Sequence, residues 1–269
     1  MIDKRSPVPN LRELGNDLLI VTPWQKLLTI AYPFLWCVAY FVFAVLGYWP
    51  LAVASLVGLS FVTYGSTSHD LVHRSLGLPR KVNDWLLFLI ELLAIRSGHA
   101  YQAAHLHHHA RYPGPDDIEA TAARRSFFGA ISEGFVFQTR IWLWALRNSG
   151  QNQGWIICEG FACFVAMILA VIILPYSPIL LVYLSLMKMG SWIIPLVTSY
   201  LPHDPHGVDE ISQTRAFRGI VASVVAVQHL YHLEHHLFPS VPHANWPLLA
   251  KRLDPHLAKA GVKPIVFWF

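Results

Sequence analysis

His229-Leu-Tyr-His232-Leu-Glu-His235-His236-Leu-Phe-Pro239 decides how the rest of the chain is read. Five side chains able to bind a metal fall here within eight positions, directly after an apolar run at 219–227. On a helix, positions i, i+3 and i+4 share a face, so His232, His235 and His236 are expected to point at one spot. Imidazoles gathered in this way are costly to leave without a ligand, and a divalent metal is the usual reason for them. The spacing recurs in His105-Leu-His-His108-His109, and a two-histidine form stands earlier in His69-Asp-Leu-Val-His73. Three such boxes in one apolar chain predict a site for two metal ions.

The surrounding composition places those boxes in a membrane protein. The 269 residues are 54% apolar and only 13% charged, with a mean hydropathy of +0.42. Soluble domains carry about 25% charged residues. The length suits one large unit, and 1–269 is read as a single membrane-embedded domain. A net charge of +4 raises the question of nucleic acid, but the placement of the basic residues points to a membrane surface instead. Cys37, Cys158 and Cys163 lie in apolar runs and form no CxxC pair, so disulfides and thiolate metal sites are not expected. Residues 1–26 hold four basic and three acidic side chains without an apolar core, which does not fit a cleaved signal peptide.

Working outward, four spans are expected at 27–49, 51–68, 155–174 and 179–201, paired as two hairpins. Each can cross a hydrocarbon core of ~30 Å at ~1.5 Å per residue. Trp49-Pro50 and Pro175-Tyr-Ser-Pro178 are expected as the turns on the far side. The remaining segments, 69–154 and 202–269, form a helical cap carrying the boxes. Apolar pieces at 85–95 and 135–146 are too short to span and carry Glu91 and Arg140, so they are assigned to the interface or to the bundle surface. Of the 20 Lys and Arg, 19 fall in 1–26, 69–154 and 202–269, with Lys188 the exception. The positive-inside rule then puts both termini and all the boxes in the cytoplasm.

His69, His73, His105, His108, His109, His232, His235 and His236 are the expected metal ligands. A ninth is expected from Leu201-Pro-His203-Asp-Pro-His206, with His203 preferred over His206 because it lies nearer the membrane. His229 either competes as a ligand or supports one, and Asp70 is expected to accept a ring N–H and fix a tautomer. His107 and His99 are read as surface or supporting residues, and His243 and His256 as surface ones. Tyr112-Pro-Gly-Pro-Asp-Asp117 ends the second box helix and brings two carboxylates near the site. Glu159 is placed at the membrane interface, whereas Lys188 lies deeper. Eight or nine imidazoles without cysteine are too many for one ion and suit two. Ligand type alone does not select the metal; a lipid-facing site favours iron and O2 chemistry.

The order HxxxH, HxxHH, HxxHH with two hydrophobic hairpins resembles the membrane fatty acid desaturase and hydroxylase superfamily, over roughly 60–250. His232 to Asn245 is similar to the last box of fatty acid desaturases. His229 to Pro239, the Pro-Gly-Pro-Asp-Asp after the second box and Leu201-Pro-His203 resemble bacterial β-carotene ketolases and ring hydroxylases. The resemblance implies a non-haem di-iron centre that uses O2 and two external electrons to desaturate or hydroxylate an unactivated C–H of a long-chain lipid. A carotenoid β-ring ketolase or hydroxylase is the alternative it leaves open. No GxG loop and no HPGG element is present, so electrons are expected from a separate donor, such as a ferredoxin with its reductase, docking on the basic face. A histidine-rich zinc transporter, the reading from another class, would need ligands at mid-membrane.

Overall fold

The computed structural model describes residues 8–219 and 229–266; the apolar run expected before the last box, at 220–227, lies outside them. Four helices are long and apolar enough to cross a membrane: α1 Pro23–Val45, α2 Trp49–His73, then Gly150–Ile173, whose regular part Gln153–Ile173 is α6, and α7 Ile179–Tyr200. Between the two hairpins come α3 Arg80–Leu93, α4 Gly98–Arg111 and α5 Phe127–Asn148. Short α8 His232–Leu237 and α9 Trp246–Lys259 follow the second hairpin. The architecture is the expected all-α membrane fold, with one addition: two-residue strands β1 Phe217–Arg218 and β2 Ile265–Val266 pair in parallel.

Local chemistry moves two expected boundaries. α1 starts before position 27 because Thr22 and Gln25 form a reciprocal cap, with Thr22 Oγ1 accepting from the Gln25 amide at 3.2 Å and Gln25 Oε1 from the Thr22 amide at 2.9 Å. Pro23 occupies the first helical position, where its missing N–H costs nothing. Trp49-Pro50 is not the turn that was expected. Proline suits a first helical turn, and these residues open α2; the chain reverses just before them, with Gly47 at φ 80°. Nor does α2 stop at 68. It runs unbroken to His73 through a π-turn at Thr63–Thr67, and a second π-turn closes α7 at Leu196–Tyr200.

Tyr40, Ala52, Leu56, Leu59, Tyr183 and Leu184 make the core between the hairpins. Buried hydroxyls there find carbonyls: Tyr40 bonds Ile179 at 2.8 Å and Tyr183 bonds Leu93 at 2.5 Å. A second core of Leu71, Leu87, Ile90, Phe137 and Ile156 joins α3, α4 and α5 to the hairpins. Glu91 takes the second of the two placements expected for its segment, packed on the bundle. It is buried and paired with Arg96 at 2.7 Å, and Arg96 also donates to Thr63 Oγ1 at 2.9 Å. The N-terminal stretch inserts Leu14 and Leu18 beneath α9, beside Trp246, Leu249 and Leu253. Burying such a leucine is worth about 1.5–3 kcal/mol, enough to tie this segment to the layer that carries the last box.

Candidate metal centre

Each box sits on the end of a helix that a buried core holds in place. His69 and His73 form the last turn of α2, and His105, His108 and His109 the last turns of α4. His203 follows the π-turn of α7, while His232, His235 and His236 occupy α8. All nine expected ligands converge, but not on one spot. His69, His73, His105 and His235 form one group, and His108, His203, His232 and His236 a second, the nitrogens of each lying within 4.8 Å of one another. His109 joins the first group, its Nε2 standing 2.6 Å from that of His235 and 3.2 Å from that of His105. Both HxxHH boxes are therefore shared: i and i+4 serve one group, and i+3 crosses to the other.

The hydrogen bonds at the far side of the rings decide what the cluster needs. His105 Nδ1 lies 2.9 Å from Glu119 Oε2, His108 Nδ1 2.6 Å from Asp117 Oδ2, and His203 Nδ1 2.9 Å from the Ser199 carbonyl. Carboxylates and carbonyls only accept, so these partners assign the proton to Nδ1 and leave a lone pair on Nε2. Yet His108 Nε2 and His203 Nε2 face each other at 3.1 Å, and His203 and His236 do so at the same distance. Facing lone pairs repel unless a cation lies among them. The buried Nε2 of His73 finds no partner among the described residues, which fits the same need. The residues present therefore suit a pair of metal ions.

Electrostatics agree. Burial first, then the neighbouring imidazoles, holds His109, His203, His232, His235 and His236 well below the ordinary histidine range, so they stay neutral and ready to ligate. His108 goes the other way. Burial opposes its charge, but the bond to Asp117 and the field of Asp117 and Glu119 prevail and raise it. A metal at Nε2 would replace that proton. Burial raises Asp117 and Glu119, and their histidine partners more than offset it, so both are lowered overall.

Several supporting roles differ from expectation. Asp70 does accept a ring N–H, but from His243 Nδ1 at 2.6 Å, not from a box histidine. His243 is accordingly buried, not on the surface, and its backbone N–H also reaches Asp70 at 2.9 Å. His99 is likewise buried; its Nδ1 meets Glu159 at 2.7 Å and its ring stacks on Trp155. Glu159, expected near the membrane interface, is itself buried within the protein. His206 is exposed and outside both groups, whereas His203 lies in the second. His229 approaches His232, with ring centroids 5.7 Å apart, but stands in neither group. Glu234, inside the last box, turns away to Arg218 at 2.6 Å. His107 leaves the cluster and packs on Trp144.

Glu119 and Trp246 were missed. Glu119 follows the Pro-Gly-Pro-Asp-Asp turn closely enough that the two carboxylates already suspected were a usable signal. Trp246, whose ring lies 5.2 Å from that of His69 and 5.3 Å from that of His235, gave none.

Apolar helices that deliver clustered imidazoles from their ends define an integral membrane protein with a histidine-built metal site. The fatty acid desaturase family model matches residues 46–268, and the chain belongs to that family. An oxidoreductase activity follows from that membership. No curated protein and no solved structure matches the chain.

Proposed function

We propose that this protein is a non-haem di-iron oxidoreductase that uses O2 and externally supplied electrons to desaturate or hydroxylate an unactivated C–H bond of a long-chain lipid. One observation carries the reading: imidazoles with Nε2 lone pairs turned toward each other in two adjoining buried groups. His69, His73, His105, His109 and His235 would hold one ion; His108, His203, His232 and His236 would hold the other. When bound, such a pair supplies the O2 reduction and the removal of hydrogen that no protein side chain performs.

The chain's own residues do the positioning. Glu119, Asp117 and the Ser199 carbonyl hold three rings in a fixed tautomer and orientation. Trp246 walls the first group, and the burial of the ligands excludes water. An acyl lipid is the expected substrate, entering from the bilayer between the spans. A separate donor, of the ferredoxin type, would dock on the basic face, and the charge asymmetry supports a cytoplasmic site and termini. A zinc transporter would require ligands midway through the bilayer, whereas both groups lie at helix ends.

Metal analysis combined with lipid profiling tests this. About two irons per chain and a new unsaturated or hydroxylated lipid in an expressing host are expected. His235→Ala should abolish the product while membrane insertion persists. Stoichiometric zinc with an unchanged lipid profile would overturn the reading.

A further inference from the structure

α5 lies across the end of the second hairpin from which His203 emerges. Its Phe135 ring stands 4.5 Å from that of Trp192, near the end of α7, and Trp142 Nε1 donates at 3.2 Å to the Ile156 carbonyl, at the start of α6. One face of α5 packs inward through Ala130, Phe137 and Ile141. The opposite face carries Phe128, Ile131, Phe135 and Leu143 in the open, Phe128 to 80%. Contiguous exposed rings mark a surface that another apolar phase covers. For a helix laid across the ends of two spans, that phase is the bilayer.

Basic residues edge the apolar face. An open groove of about 550 Å³ follows the helix, with Phe135, Val136 and Leu143 in its apolar wall and Arg140 and Arg147, two turns apart, on its polar side. The arginines here outnumber the acids that reach them. Glu133 is shared by Arg140 and, at 3.5 Å, by Arg125. Arg124 bonds the carbonyls of Gly114 and Asp117, at 3.0 and 2.8 Å. Arg147 has no hydrogen-bond or ion-pair partner among the described residues. Burial, then the fields of Arg125 and Arg124, push Arg140 below its ordinary range, so like charges crowd it that one carboxylate does not balance.

We propose that this groove holds an anionic phospholipid of the surrounding bilayer, its phosphate between Arg140 and Arg147 and one acyl chain along Phe135, Val136 and Leu143. Guanidinium groups match phosphate oxygens in geometry as well as charge. A free phosphate suits the arginines but leaves the wall uncovered, and a neutral lipid suits the wall but leaves the arginines without an anion. An acidic protein would reach the arginines only by drawing the exposed rings out of the bilayer. The site needs neither the metals nor the proposed reaction.

Native mass spectrometry of the purified protein in neutral detergent tests this, with dioleoyl phosphatidylglycerol and dioleoyl phosphatidylcholine titrated separately. The two lipids share their chains and differ in net charge. Phosphatidylglycerol is expected to bind about 25-fold more tightly, at about fivefold for each arginine beside an anionic group. Arg147→Gln, at an exposed position, should cut that preference to about fivefold, whereas Arg147→Lys should keep most of it. Lys81→Gln, which removes a charge from another exposed position, should leave it unchanged. Equal binding of the two lipids overturns the proposal, as does a preference that survives Arg147→Gln intact or falls as far in Lys81→Gln. Displacement of phosphatidylglycerol by inorganic phosphate at matching concentration also overturns it, because the acyl chain would then contribute nothing.

Discussion

At the scale of single residues, the aim of the clustered rings depends on side chains outside the two groups. Asp117 and Glu119 are buried and each takes a ring N–H, which aims the opposite nitrogen and makes it more basic. Asp117→Asn and Glu119→Gln keep the shape but remove the charge. On the proposed di-iron reading, each is expected to weaken iron affinity about 10–100-fold, measured by competition with a calibrated chelator, with little change in the amount of protein inserted. Unchanged affinity in both would mean that the rings are aimed by packing alone. The clustering of the histidines was legible because a helix writes its face as i, i+3, i+4. Their division between two groups was not. At about 100° per residue, i+3 and i+4 sit about 100° apart around the axis while i lies between them, so a face broad enough to look like one site borders two. Asp70 shows the complementary limit: the need for a ring N–H could be read from its place between His69 and His73, but the partner, His243, comes from a segment 173 positions away.

Among the elements, the two π-turns are the decisive local features. A π-turn is an α-helix with one residue added, and it rotates everything after it by about 100°. One stands just before His69 and the other just before His203, so each sets the aim of a clustered histidine. Deleting Val197 should let α7 close as a regular helix and swing His203 out of the second group. Iron content is then expected to fall by about one per chain, with the first group still filled. Retention of both irons would show that the π-turn is incidental. Close packing offers an independent test at Gly134, where a Cβ would run into the Trp192 carbonyl. Gly134→Ala is expected to cost about 1–3 kcal/mol, read as a lower melting temperature in detergent. The spans were readable from apolar length and charge placement. The π-turns were not, since one extra residue leaves an apolar run looking the same.

Across the whole molecule, the clustered histidines come from 69–73, 105–109, 203 and 232–236, so metals bound as proposed would cross-link both hairpins and α8. Ions that bind the folded chain alone stabilise it, by about 4 kcal/mol at a thousand times the dissociation constant. Chelation should therefore lower the melting temperature, and it should also uncover a dependence on acid. Burial, reinforced by neighbouring rings, keeps His203, His232, His235 and His236 well below the ordinary range. Once unfolded, each takes a proton as pH falls through ~6.5, while the folded chain does not. The unfolded state then binds more protons, so the stability present above that pH drains away below it. Asp117 and Glu119, both lowered, add a loss at more acid pH as they are protonated. His108, which is raised, opposes the trend, one ring against several. The chelated protein is thus expected to melt at steadily lower temperature from about pH 8 to about pH 5, while the iron-loaded form holds over the upper part of that range, because each metal occupies the nitrogens that protons would claim. A chelated protein whose melting temperature ignores pH would contradict a neutral, buried cluster.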